Sequence, residues 1–165
     1  MAKRQLGLHI PMFVLLLGFR VGPALAHGDK VVPHVPDGTG PDGTGYITKF
    51  DITNLGPEAS YPVRNTKLMF FLQNGNPWTV ATSLGVGSEF RLDLGALQTL
   101  RIETLGTSPN LTAGYAIIRS SEKSTDFAED YEVAVTAYYE VRKGGNVIDT
   151  VSVAVAQPTV DWAFP

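Results

Sequence analysis

No cysteine occurs anywhere in the 165 residues. Its absence excludes disulfides, thiolate metal sites, a cysteine nucleophile and a lipid-modified cysteine. Histidine is nearly as scarce: His9, His27 and His34 are all there are. A histidine base therefore has few places to sit, and no nucleophile motif accompanies any of the three. Charged residues make up 18% of the chain and balance to −3. A mildly acidic protein has no electrostatic drive toward nucleic acid or anionic lipid. No segment is apolar over the ~20 residues that a membrane helix needs. Helical periodicity is missing from most of the sequence as well.

What is present begins with an address. Met1-Ala2-Lys3-Arg4 is basic, Ile10 to Phe19 is a short apolar stretch, and Ala24-Leu25-Ala26 has the small-x-small pattern of a signal-peptidase site. This is the layout of a secretory leader over residues 1–26. Its removal leaves 139 residues. Lys3, Arg4 and Arg20 leave with it and no acid does, so the formal charge moves from −3 to −6. A chain of that length predicts one domain, with residues 27–45 as an N-terminal strand and Gly/Pro-rich link and 46–165 as the body. A leader without cysteine predicts a bacterial periplasmic or secreted protein.

The rest reads as β-structure. The chain has 17 glycines and 11 prolines, with β-branched and aromatic runs between them. Such a pattern predicts short strands joined by turns. From Tyr131 to Arg142, the residues Tyr131, Val133, Val135, Ala137, Tyr139 and Val141 share one face, and Glu132, Thr136, Glu140 and Arg142 the other. Period two marks a strand with one buried and one wet face. Lys143-Gly144-Gly145-Asn146 turns the chain into a return strand, about Val147–Ala156, with Val147, Val151, Val153 and Val155 in phase. Further strands are expected near Val31–Val35, Tyr46–Asn54, Thr66–Gln73, Trp78–Thr82, Glu89–Leu94, Gln98–Thr104 and Leu111–Arg119. Asn74-Gly75 signals a hairpin turn between two of them. Eight or nine strands at this spacing predict an all-β fold, a single antiparallel two-sheet sandwich of Ig-like or jelly-roll-like type. A membrane β-barrel shows the same alternation, but its strands need about 9–11 residues each, and several here are shorter.

One stretch has a familiar look. Val32-Pro33-His34-Val35-Pro36-Asp37-Gly38, a glycine-rich link, and then Tyr46-Ile47-Thr48-Lys49-Phe50-Asp51-Ile52-Thr53-Asn54 resembles the opening of an uncharacterised group of secreted bacterial β-sandwich proteins. Met69-Phe70-Phe71 before Asn74-Gly75 is similar to the next hairpin of that group, and Gly114-Tyr115-Ala116-Ile117-Ile118 to a later strand. Pro36 stands where that group usually has alanine, and the glycine loop is longer here. The resemblance implies a secreted sandwich and no established activity.

Few residues carry candidate chemistry. Cleavage after Ala26 would free the α-amine of His27, which with its imidazole offers nitrogen ligands suited to copper. Asp29 and His34 are the nearest residues able to complete such a site. Pro36-Asp37-Gly38-Thr39-Gly40 is repeated at once as Pro41-Asp42-Gly43-Thr44-Gly45, so Asp37 and Asp42 are candidate oxygen ligands for calcium. The plainer expectation is a lengthened, flexible link. Glu122, Asp126, Glu129 and Asp130 make the 120–130 segment acidic, a pattern met in calcium sites, in paired carboxylates for glycan hydrolysis and, most often, in solvated loops. Trp78, Tyr138 and Trp162, with Tyr139 beside them, are candidates for a glycan-stacking platform, although aromatic rings in a sandwich more often fill the core. The sequence therefore predicts an exported, non-catalytic protein with a binding or structural role toward a protein or glycan partner. Copper binding through the N-terminal histidine is the alternative, and glycan binding or carboxylate-based glycan chemistry a second.

Overall fold

The computed structural model describes residues 29–55, 63–119 and 133–157. Among these there are ten strands and no helix: β1 (Lys30–Thr39), β2 (Gly45–Asn54), β3 (Val63–Leu72), β4 (Val80–Thr82), β5 (Gly85–Gly87), β6 (Glu89–Leu94), β7 (Thr99–Glu103), β8 (Thr112–Arg119), β9 (Val133–Lys143) and β10 (Asn146–Val153). Nine match the strands expected from alternation. The tenth, β5, is Gly-Val-Gly, too short to show a period.

All pairings are antiparallel. Eight strands form one sheet in the order β10-β9-β2-β1-β8-β3-β6, with β7 also paired to β2, and β4 and β5 form a small sheet of their own. The all-β, antiparallel expectation holds. Two separate sheets were expected, whereas here a single sheet curls so that its two halves face one core. Val32 and Val35 of β1, Leu68 and Phe70 of β3, Leu92 and Leu94 of β6, and Ala116 and Ile118 of β8 meet Phe50 and Ile52 of β2, Ile102 of β7, and Val133 and Ala137 of β9. Phe50 and Phe70 make an edge-to-face contact across the middle at 5.8 Å, the preferred geometry for an aromatic pair.

The curl turns on β1. Its last residues pair with β2, Gly38 opposite Tyr46 and Thr39 opposite Gly45. From Lys30 to Asp37 it pairs with β8, interrupted by a register shift between Val32 and Val35. Beyond Tyr46 the edge of β2 that β1 has left is taken by β7, from Lys49–Glu103 to Thr53–Thr99. At the other end, Val31 and Ala156 exchange both backbone hydrogen bonds at 2.8 Å, so the segment after β10 returns to β1.

Two local readings need correction. The link expected at 36–45 is ordered: Pro36–Thr39 belongs to β1, and only residues 40–44 turn. The return strand was expected to bury Val147 in phase with Val151. A register shift between Val147 and Asp149 breaks that phase, and Val147 and Ile148 stand 50% and 59% exposed. The turn before it is as expected, with Gly144 and Gly145 both at positive φ between the paired residues Lys143 and Asn146. Of the described residues, none forms a helix long and apolar enough to cross a membrane.

Gly114 of β8 lies opposite Leu72 of β3, at the end of their pairing. A Cβ there would sit 2.1 Å from the Phe71 carbonyl oxygen and 2.9 Å from the Trp78 ring. Gly114→Ala should therefore destabilise by more than the 1–3 kcal/mol typical of overpacking. Thr66 presents the opposite case: its hydroxyl is buried without a hydrogen-bond partner. Thr66→Val removes an unpaired polar group at constant shape, so stability should be unchanged or rise by up to about 1–3 kcal/mol. Thermal and urea unfolding of both variants checks the pair.

Candidate functional site

The register shift in β1 between Val32 and Val35 is a bulge that pushes Pro33 and His34 out to solvent. A bulge re-aims a side chain that regular pairing would constrain. Here it sets the His34 ring edge-on to Tyr139 of β9, with centroids 5.7 Å apart and planes at 70°. Tyr139 in turn lies 6.3 Å from Tyr46 of β2. Tyr46 and Tyr139 fall in the inward phase of their strands, but beyond the point where the other half of the sheet covers them, so both stay half-buried. Three strands thus bring three rings together at the mouth of the curl, each with a polar group. The sequence had singled out His34 and Tyr139 separately. Tyr46 was missed, because nothing in the sequence alone says that the start of β2 lies beside the far end of β9.

The outward face of β7-β2-β9-β10 is polar and internally neutralised. Lys49 donates to Glu140 at 2.6 Å and lies 3.6 Å from Glu103. Arg142 donates to the other oxygen of Glu140. Arg101 grips Asp51 with two hydrogen bonds of 2.7 and 2.9 Å, and the hydroxyls of Thr53 and Thr99 pair at 2.8 Å. These contacts shift titration. The Lys49 hydrogen bond, helped by Arg142, holds Glu140 below the usual carboxylate range despite its burial. Lys49 is raised by the same bond. Arg101 lowers Asp51, again by hydrogen bonding.

The candidate metal ligands that lie among the described residues do not gather into a cluster. Asp29 is fully buried, and both its oxygens accept from Arg119. Asp37 is buried in β1 and accepts from the Gly106 amide at 2.9 Å. Asp42 is exposed in the turn, where it accepts from the Thr44 amide and hydroxyl, and the hydroxyl bond lowers its pKa. Each carboxylate already has a structural task. Among the described residues no three His, Asp or Glu side chains gather as a metal cluster. His27, Trp162 and the acids Glu122, Asp126, Glu129 and Asp130 lie outside the described residues.

Of the expected stacking platform, Trp78 and Tyr138 lie among the described residues and do not come together. Trp78 packs edge-on against Phe70 at 6.3 Å and borders the core. Tyr138 lies on the outward face, opposite Lys49 in β2 and Ser152 in β10. The two rings therefore sit on opposite sides of the sheet.

No protein-family model, curated protein or solved structure matches the chain.

The lowered carboxylates fix the sign of a pH dependence. Glu140 and Asp51 have folded-state pKa values below their ordinary values of 4.5 and 3.8. The stability they contribute is fully present above those values and is lost as pH falls through the folded ones. The melting temperature should therefore fall as the solution is taken from neutral into the region below 4.5. Glu140→Gln should lower it at pH 7 by the equivalent of about 1.5–3 kcal/mol, the range for hydrogen bonds to charged groups, and should flatten the acid limb. Melting curves recorded across the acid range for both proteins make the comparison.

Proposed function

We propose that this chain is an exported, non-catalytic protein with a binding or structural role at the cell envelope or outside the cell, its curled sheet working as an Ig-like or jelly-roll-like sandwich. The leader pattern of residues 1–26 supports the export. The observation that carries the binding role is the His34–Tyr139–Tyr46 cluster. Half-exposed aromatic rings with polar tips favour contact with a partner, since one end is apolar and the other wet. Strands hold them in place more rigidly than loops would. A protein or glycan partner would meet this mouth, and the neutralised outward face serves mainly to hold β7, β2 and β9 in register beneath it.

A second reading is copper binding. His34 is exposed on its bulge, so its imidazole is accessible to a metal, and cleavage after Ala26 would supply the amine and imidazole of His27. Asp29 is not available to such a site, because Arg119 holds it.

Mass spectrometry of the exported protein should find His27 as its first residue. On a glycan array, binding should drop at least about tenfold for Tyr139→Ala, a loss of one well-placed aromatic contact; binding to no glycan at all would count against a glycan partner. Titration with Cu(II) separates the second reading. Equal binding by wild type and His27→Ala would sink it.

A further inference from the structure

The first residues of a domain usually fray unless something ties them down. Here the tie begins at once. Asp29, just before β1, is fully buried, and both its oxygens accept from Arg119 at the end of β8, over distances of 2.9 to 3.2 Å. Lys30 is buried as well, and its ammonium donates to the Gln157 side chain at 2.7 Å. Val31 is held on both edges. It pairs with Ile117 of β8 on one side and exchanges backbone hydrogen bonds with Ala156 on the other. Between this anchor and Ala26, the last residue of the small-x-small pattern, stand only His27 and Gly28.

We infer that the bond after Ala26 is cut only before β1 docks, so that the folded chain shields its own processing site and removal of the leader must precede closure of the curl. The inference rests on the leader reading of residues 1–26. A peptidase takes the chain on both sides of the cut into its groove in extended form. Two residues give at most about 7 Å of slack, whereas layers of packed protein stand about 10 Å apart. Groove and folded sheet would therefore overlap. To admit the enzyme, the chain must pull Asp29 away from Arg119 and Lys30 away from Gln157, and cutting then follows the population of that opened state. The order of the chain gives the cut its time. β1 is made early, but its anchors come late: Arg119 lies 90 residues beyond Asp29, and Gln157 lies 127 beyond Lys30. At the ~5–20 residues per second of synthesis, the longer separation is on the order of ten seconds. Until β8 and residues 156–157 arrive, nothing holds Asp29 and Lys30 in place. A chain that folds before the cut keeps the apolar Ile10–Phe19 stretch attached.

The test uses the full-length precursor in detergent with a purified bacterial signal peptidase, and mass spectrometry to locate the cut. Precursor diluted from urea straight into the enzyme should be cut after Ala26. The same precursor, refolded first, should be cut at least about tenfold more slowly. A variant with about six Gly and Ser residues inserted between Gly28 and Asp29 gains slack without touching the fold. Refolded to the wild-type circular dichroism and melting temperature, it should be cut as fast as the freshly diluted chain. Refolded wild type cut as fast as freshly diluted wild type overturns the inference. So does a folded insertion variant that resists as wild type does. If neither the freshly diluted chain nor the insertion variant is cut after Ala26, the leader reading itself falls, and the inference falls with it.

Discussion

The fold depends on how β1 leaves β2. A strand that departs from its neighbour strands backbone donors and acceptors in the interior, and each unmet group costs about 1–3 kcal/mol. Here a compact set of polar residues meets them. The Thr48 hydroxyl donates to the Pro36 carbonyl at 2.7 Å. The Thr48 amide donates to the Thr104 hydroxyl, and the Thr104 amide returns a bond to the Thr48 carbonyl, both at 2.9 Å. Asp37 accepts from Gly106, and the Thr39 amide donates to the Ser108 carbonyl at 3.1 Å. Thr48 and Thr104 are fully buried and Asp37 nearly so. The β7–β8 loop is thereby pinned over the junction. Only glycine fits at 38, where φ is +105° and a Cβ would lie 2.4 Å from the Asn110 carbonyl oxygen. Without this junction the two halves of the sheet would have no fixed angle, and Phe50 would have no fixed meeting with Phe70.

The same junction explains the aromatic mouth. At this end, where Gly38 of β1 still pairs with Tyr46, the inward faces of β2 and β9 are less covered than the buried stretch from Thr48 to Ile52. Residues in the core phase there, Tyr46, Tyr139 and Val141, are only half-buried. The β1 bulge then places His34 against Tyr139. Composition at this point follows geometry: phenol and imidazole groups tolerate a boundary between core and water, where leucine or isoleucine would expose apolar surface.

Strands were legible because alternation is a local property. Glu89–Leu94 is read from its sequence with the same bounds as in the structure, and Phe90, Leu92 and Leu94 point inward as their period requires. Pairing is not local, and no single strand specifies its neighbour. Glu140 and Lys49 each lie on the wet face of their own strand, which the sequence shows. That they meet depends on β9 lying beside β2, 91 residues away in the chain. The candidate carboxylates illustrate the same point. Asp29 was a candidate copper ligand and Asp37 and Asp42 candidate calcium ligands, yet each accepts from a donor of the fold, and the sequence does not say which donor arrives. The bulge at Val147 was hidden too, since one extra residue reverses the faces of a strand without changing its composition.

The doubled Pro-Asp-Gly-Thr-Gly shows how far context overrides local sequence. In the first copy, Pro36 and Asp37 pair with β8, Gly38 and Thr39 pair with β2, and Asp37 reaches Gly106. In the second copy, Asp42 folds back onto Thr44, the Gly43 amide donates to the Gly40 carbonyl at 3.0 Å, and the Gly40 amide donates to the Thr44 carbonyl at 2.7 Å, closing a tight turn. Both uses draw on the same property, an aspartate whose carboxylate can satisfy a backbone amide beside a glycine free to take positive φ. What separates them is the strand next door. Thr112 and Ala113 of β8 offer the first copy a ladder to join, whereas the second copy joins one only at its last residue, Gly45. The first copy therefore extends, and it carries β1 across to β8. The second copy reverses the chain into β2, which sets the register that brings Tyr46 to Tyr139.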